Sequence, residues 1–228
     1  MSKRSTLLFL LTLIVAPAMH AQDPVPPTRL QRLLTHFDVG VAGTALFTSG
    51  VTGTVQNSTA TTQASVTQTA SIAAGVLVTI RGQKSPYRGF EINYGYGKAT
   101  QSYTCCNYTT SGVYIGPFLS QATQAEYTVG YLARPPHPIF GLQPYIGGGA
   151  GTIQFKPTRT GGQNVLTQAR MTYYYTVGVE APLLGNYLGL RAGFRQLIYL
   201  APDFGQNYLT IKKRTFTSEP QVGIYLHF

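Results

Sequence analysis

The sequence predicts an all-β fold, an eight-stranded antiparallel up-and-down β-barrel that spans a membrane. Three observations predict it. Eight segments alternate apolar and polar residues with a period of two, and turn or loop chemistry separates them. The connections alternate between long polar segments and short turns, which is the pattern of transmembrane barrels. Charged residues make up only 11% of the chain, less than half of the roughly 25% found in soluble domains.

The N-terminal residues are predicted to lie outside the barrel. Two basic residues, Lys3 and Arg4, precede the apolar run TLLFLLTLIV, and small residues follow it. This order is typical of a secretory signal peptide, with cleavage after Ala21 favoured over Ala18. The run is shorter than the ~18–20 residues that a membrane-spanning helix needs. We predict a signal peptide at 1–21, a periplasmic leader at 22–36 and the barrel at 37–228.

The first four strands are predicted from alternation alone. They are FDVGVAGTALF, ASIAAGVLVTI, FEINYGYGK and AEYTVGYLA. In each, most of the apolar and aromatic side chains fall on one parity, so one face of the strand is predominantly apolar. Several segments reach the ~9–11 residues that a tilted membrane-spanning strand needs.

The last four strands are LQPYIGGGAGTIQF, ARMTYYYTVGVEA, YLGLRAGFRQLIYL and the terminal EPQVGIYLHF. The glycines of the fifth strand obscure its alternation, so its faces remain unassigned. The turns after strands two, four and six are short, and the prolines in RPPHPIFG cannot sit inside a paired ladder. The connections after strands one, three, five and seven are long and polar. The first two are Thr48–Thr69 and Ala99–Gly116.

The charged residues indicate which face points inward. Five of the seven acidic residues lie in predicted strands, each on the parity opposite the apolar ladder. That polar face is rich in Gly, Thr, Gln and Tyr, which fits the narrow interior of an eight-stranded barrel. A lone buried charge is costly, so charges of both signs imply internal ion pairs. The predicted interior ion-pair residues are Glu91, Glu126, Arg170, Glu180, Arg191, Arg195 and Glu219. Hairpin spacing pairs Glu180 with Arg191 and Glu219 with Arg195, while Asp203 stands in an outer loop without a visible partner.

These features resemble the small bacterial outer-membrane β-barrels, similar to the OmpA-like transmembrane barrel, over the whole mature chain. The segments LQPYIGGGAG and LRAGFRQLIYLAPDF look like hairpins of acidobacterial outer-membrane barrel proteins. The resemblance implies a Gram-negative outer-membrane location with both termini periplasmic. It also implies that the last strand is the signal read by the barrel-assembly machinery, carried by Val222, Ile224, Leu226 and Phe228. We expect no cell-wall-binding domain after the barrel.

The two cysteines, Cys105 and Cys106, are adjacent and cannot connect distant parts of the fold. A local vicinal disulfide and a pair of free thiols both remain open. A metal site would need further His or Cys residues nearby, and the sequence offers none, so we expect no metal and no cofactor. His36, His137 and His227 all fall at the predicted periplasmic end, so no histidine-dependent catalytic site is expected at the outer rim.

The formal charge of +10 does not indicate a nucleic-acid partner, because the cations are scattered and the chain is predicted to be exported. We expect outer-membrane lipid and the phosphates of lipopolysaccharide to be the partners of a basic rim. The rim residues are Lys98, Lys156, Arg159, Lys212, Lys213 and Arg214. Two functions remain: a monomeric, non-catalytic barrel with a structural, envelope-stabilising or surface-binding role, or a narrow porin-like channel or binder for small hydrophobic solutes.

Overall fold

The structure, a computed structural model, describes residues 35–56, 63–105, 118–158, 165–184, 187–206 and 209–228. The predicted signal peptide lies outside the described residues, as does the predicted leader except for Thr35 and His36. Within the described ranges, no helix is long and apolar enough to cross a membrane.

The described residues form ten antiparallel strands that close into a barrel. The strands are β1 (Phe37–Thr48), β2 (Val51–Gln56), β3 (Gln63–Ala70), β4 (Ala73–Ser85), β5 (Arg88–Cys105), β6 (Phe118–Ala133), β7 (Gln143–Pro157), β8 (Gln168–Leu184), β9 (Leu188–Leu200) and β10 (Arg214–His227). Around the barrel the pairing order is β5, β4, β1, β10, β9, β8, β7 and β6, and the β5–β6 pairing completes the closure. β2 pairs with β3, which pairs with β5.

The ten strands make up eight barrel positions, as predicted. Ser49 and Gly50 interrupt one position between β1 and β2, and Ser71 and Ile72 interrupt the next between β3 and β4. The β3 and β4 segments both pair with β5, which shows that they are two parts of one barrel strand. The predicted fold class, a closed eight-stranded antiparallel barrel, is therefore confirmed.

The prediction that Thr48–Thr69 is a long loop is wrong, because most of this segment is a β-hairpin that extends the wall. The Oγ1 atoms of Thr52 and Thr67 lie 2.9 Å apart across the hairpin, and Val66 packs on the inner face. β-Branched residues and cross-strand Thr pairs favour strands. The segment from Ala99 to Cys105, also predicted as a loop, continues β5, because it pairs with β3 on one side and with β6 on the other.

The face assignment is confirmed for the strands where the sequence made one. Outward side chains such as Val41, Ile92 and Ile224 are about half exposed, whereas Glu91 and Gln221, which have the opposite parity, are buried. The structure also resolves the faces of β7. Its inward side chains include Tyr145, Ile153 and Phe155, which are buried, and its outward face carries Ile146.

The interior has an apolar layer at the end that carries the long connections. Tyr103, Phe155 and Leu197 from the wall pack there with Phe204 and Leu209. The last two belong to residues 201–213, here called the mouth loop, which joins β9 to β10. The described part of this loop thus contributes buried side chains to the barrel rather than standing in solvent.

Candidate functional site

The lower part of the interior, toward the short turns, holds six charged residues in contact. This lower ion-pair cluster consists of Asp38, Arg81, Glu91, Arg134, Glu180 and Arg191. Arg81 donates from Nε to Glu91 at 2.9 Å and from Nη1 to Glu180. Arg191 donates from Nε to Glu180 at 2.9 Å and from Nη2 to Asp38 at 2.7 Å. Nη1 of Arg134 lies 3.4 Å from Oε2 of Glu180.

A second group, the middle ion-pair cluster, lies nearer the apolar layer and consists of Glu126, Arg195 and Glu219. Arg195 reaches Glu126 from Nη2 at 2.6 Å and Glu219 from Nη1 at 3.1 Å, and all three residues are buried. Thr128 donates a further hydrogen bond of 2.9 Å to Glu126. Two carboxylates therefore share one guanidinium, whereas the lower cluster has three acids and three arginines.

Three inward tyrosines link the clusters to the wall. The guanidinium carbons lie 4.2 to 4.8 Å from the ring centroids in the pairs Arg81–Tyr145, Arg195–Tyr174 and Arg191–Tyr225. These distances are within the range of cation–π attraction. Tyr174 also donates a 2.7 Å hydrogen bond to Glu91, which joins the middle cluster to the lower one.

Glycine in the wall makes room for these rings. A Cβ atom on Gly130 would lie 2.2 Å from the hydroxyl oxygen of Tyr174, and one on Gly149 would lie 2.8 Å from the same ring. Gly130 of β6 and Gly149 of β7 therefore leave room for the Tyr174 side chain inside the barrel.

Asp203 organises the mouth loop. Its carboxylate accepts hydrogen bonds from Gln168 Nε2 at 2.5 Å, from the Gly205 amide at 3.1 Å and from Thr210 Oγ1 at 3.0 Å, and it pairs with Arg170 at 2.9 Å. Burial alone would raise the pKa of Asp203, but these hydrogen bonds and the Arg170 charge outweigh it and lower the pKa below its usual value. The ionised carboxylate therefore holds the loop against the barrel mouth.

The predicted ion-pair residues lie in three groups of the structure. Six of the seven lie in the lower and middle clusters, and the two hairpin pairs predicted from spacing are in direct contact. Arg170 is the exception, because it lies at the mouth and pairs with Asp203. The expectation that Asp203 has no partner is therefore wrong.

Three members of the lower cluster, Asp38, Arg81 and Arg134, were not predicted from the sequence as ion-pair residues. Asp38 was on the inward parity but was not assigned a partner. Arg81 and Arg134 fell at the edges of predicted turns, although Arg81 continues the inward parity of β4 and lies opposite both Asp38 and Glu91 in register. Extending the strand by one residue would have found it.

The predicted basic rim is divided around the barrel. Lys98 and Lys156 are exposed on strands that flank β6, and both lie opposite Thr123 in register. Lys212, Lys213 and Arg214 are exposed beside the start of β10, on the other side. Arg159 lies outside the described residues.

The remaining predicted site residues form no cluster among the residues that the structure describes. Cys106 lies outside the described residues and the Cys105 side chain is not described, so the structure does not distinguish the vicinal disulfide from free thiols. His36, His137 and His227 all lie at the short-turn end. Among the residues that the structure describes, no group of three or more His, Cys, Asp or Glu side chains could hold a metal ion.

The terminal residues predicted as an assembly signal share one face of β10. Val222, Ile224, Leu226 and Phe228 are all exposed on the outside of the barrel. β10 pairs with β1 from Asp38 opposite His227 onward, so the last strand closes the barrel.

Comparison with known proteins places this geometry in a fold group. No family model matches the chain, and no curated protein matches it significantly. Among solved structures, the outer membrane protein OprG from Pseudomonas aeruginosa overlaps with a TM-score of 0.57 at 13% identity, covering 84% of this chain and 95% of that one. The fold is that of a small outer-membrane β-barrel.

Two further barrels overlap less well. Neisserial surface protein A aligns with a TM-score of 0.47 at 13% identity, covering 85% of this chain and 97% of that chain. The outer membrane protein AlkL, solved in lipid bilayers, aligns with a TM-score of 0.49 at 16% identity, covering 92% and 97%. At these identities the comparison concerns the fold, and the OprG overlap carries it.

Proposed function

We propose that this protein is a non-catalytic, integral β-barrel of the bacterial outer membrane whose role is structural and envelope-stabilising, and that it does not conduct solutes. The outward apolar face supports the membrane location. Val129, Val177 and Ile224 are each more than half exposed on different strands. Soluble monomers rarely expose continuous apolar surface on this scale, whereas a bilayer covers it.

The proposed orientation follows from the two ends of the barrel. In outer-membrane barrels the short turns face the periplasm and the longer connections face outward. Here β1 begins and β10 ends beside the short turns, which supports a periplasmic position for both ends of the described barrel. The β2–β3 hairpin and the mouth loop then lie at the cell surface.

The main support for a non-conducting role is that the barrel interior is filled, first by the two ion-pair clusters and then by the apolar layer at the mouth. The lower and middle clusters cross the barrel with buried ion pairs, and the apolar layer with Phe204 covers them at the mouth. A solute path would have to break ion pairs and also displace the mouth loop. Eight-stranded barrels are generally just wide enough for side chains to fill.

Planar-bilayer recording tests this role against the channel alternative. We expect no steady single-channel openings from the purified, refolded barrel. Steady openings that disappear when the same protein is unfolded before addition would overturn the structural role and favour the narrow channel.

We propose lipopolysaccharide as a surface partner, held through its phosphates by Lys98 and Lys156. These lysines lie on either side of Thr123 at the outward edge of the apolar face, and lysine binds phosphate as a point charge. The variant Lys98→Gln/Lys156→Gln should retain less lipopolysaccharide after purification than the Thr52→Gln control. Equal retention would remove this pair from the proposed binding surface.

A further inference from the structure

A groove opens on the outside of the barrel at the short-turn end, next to the β4–β5 turn. It has a volume of about 520 Å³ and is lined by Lys84, Ser85, Tyr87, Arg88, Gly89, Phe90 and Tyr131. A second groove of about 450 Å³ adjoins it and shares Arg88 and Tyr131. Together they form one depression that runs from the turn onto the wall, here called the turn groove.

The two cations of the turn groove are placed to hold an anion. Lys84 and Arg88 are exposed; Arg88 continues the outward parity of β5, and Lys84 lies at the register shift between Gln83 and Ser85. Neither forms an ion pair with any acidic residue of the described chain, although seven other basic–acidic contacts are buried inside the barrel and one more lies at the mouth. Their charge is therefore available to a ligand.

The rest of the turn groove is aromatic and apolar. Phe90 lies opposite Tyr131 in register, and the Tyr131 side chain is 75% exposed. Ile146, on the neighbouring strand, extends the same surface and is also exposed. Ile146 lies beside the cations, since Ala133 is opposite both Arg88 and Ile146 in register. Phe90 and Tyr131 lie two residues further from the turn along their strands.

This order matches one class of molecule. We propose that the turn groove binds a glycerophospholipid of net negative charge, with its phosphate between Lys84 and Arg88 and its acyl chains along Phe90 and Tyr131. The inference rests on the proposed membrane location, which puts the short-turn end at the inner leaflet. A basic pocket at headgroup depth is suited to anionic lipid, and aromatic side chains favour the same depth.

Native mass spectrometry of the refolded barrel in detergent, titrated with phosphatidylglycerol or phosphatidylcholine, tests the site. We expect one phosphatidylglycerol per barrel at low lipid, and weaker binding of the zwitterionic lipid. Lys84→Gln/Arg88→Gln should weaken phosphatidylglycerol binding about 30-fold, since each basic side chain near an anionic lipid contributes a factor of about five. Tyr131→Ala should also weaken binding, through the acyl chains.

The matched control is Lys212→Gln/Lys213→Gln, which removes the same charge at the opposite end of the barrel and should leave that first lipid bound. Equal losses in both double variants would show unspecific charge attraction and overturn the site. Displacement of the lipid by millimolar inorganic phosphate would show a phosphate site that does not need acyl chains, which also contradicts the proposal.

The heat-modifiable gel shift separates failure of the site from failure of the proposed function. Suppose that wild type shows the shift and that wild type and Lys84→Gln/Arg88→Gln bind the lipid with the same affinity. The proposed lipid site in the turn groove is then wrong, whereas the proposed membrane barrel is unaffected. If wild type shows no shift, the membrane barrel itself is wrong.

Discussion

Arg195 offers the sharpest test of the interior. Its side chain is buried, and it is the guanidinium that Glu126 and Glu219 share, at 2.6 and 3.1 Å. Arg195→Leu replaces the guanidinium with an apolar side chain of moderate size and leaves two buried carboxylates without their cation. Removing one partner of a buried ion pair costs about 3–5 kcal/mol. Because two acids lose their partner here, we expect a loss in unfolding free energy near the upper end of that range.

The assay is urea unfolding in lipid vesicles, in which the folded fraction is measured as the fraction of protein that shows the heat-modifiable gel shift. The control is the triple variant Arg195→Leu/Glu126→Gln/Glu219→Gln, in which the carboxylates are replaced by neutral amides of similar shape. It should recover most of the stability, because no uncompensated charge remains. A loss below about 1 kcal/mol for Arg195→Leu, the scale of an exposed pair, would refute the description of a buried, mutually dependent cluster.

Three other predictions address the wall, the mouth loop and the last strand. Ile224→Arg puts a charge on the lipid face and should cost about 2–4 kcal/mol in the same unfolding assay, whereas Thr52→Arg on the exposed hairpin should cost almost nothing; equal costs would contradict the face assignment. Asp203→Asn should speed hydrogen exchange in the mouth loop. Because the folded-state pKa of Asp203 is lowered, its contribution to loop closure is present above the ordinary Asp pKa and is lost as pH falls through the lowered value; equal exchange protection of the mouth loop in wild type and Asp203→Asn at pH 6 would contradict this. Deleting Phe228 should reduce the heat-modifiable fraction recovered from cells but not after refolding in vitro; unchanged recovery from cells would count against a terminal assembly signal.

The barrel and its faces could be predicted because both depend on local sequence. A period of two fixes which side chains share a face, and one hairpin fixes register, so the Glu180–Arg191 and Arg195–Glu219 contacts followed from spacing. Arg81 reaches Glu180 across the barrel, and Arg195 reaches Glu126 in the same way. Such contacts depend on closure and on how far each side chain extends inward, which alternation does not specify.

The mouth was predicted least well, also for a physical reason. The segment around Thr52 and Thr67 has the polar composition of a loop, but β-branched residues and pairing with β5 make it strand. The mouth loop folds inward because Phe204 and Leu209 are covered by wall residues far away in sequence. Asp203 gained its partners only through that folding.

The proposed membrane barrel requires that the side chains of apolar parity in each strand face lipid and that those of polar parity fill the interior. Spin labels placed one at a time from Gln221 to Leu226, in a Cys105→Ser/Cys106→Ser background in vesicles, test it most directly through their accessibility to oxygen. We predict an alternation of period two, with high accessibility at Val222, Ile224 and Leu226 and low accessibility between them. Uniform accessibility, or the opposite phase, would contradict the account.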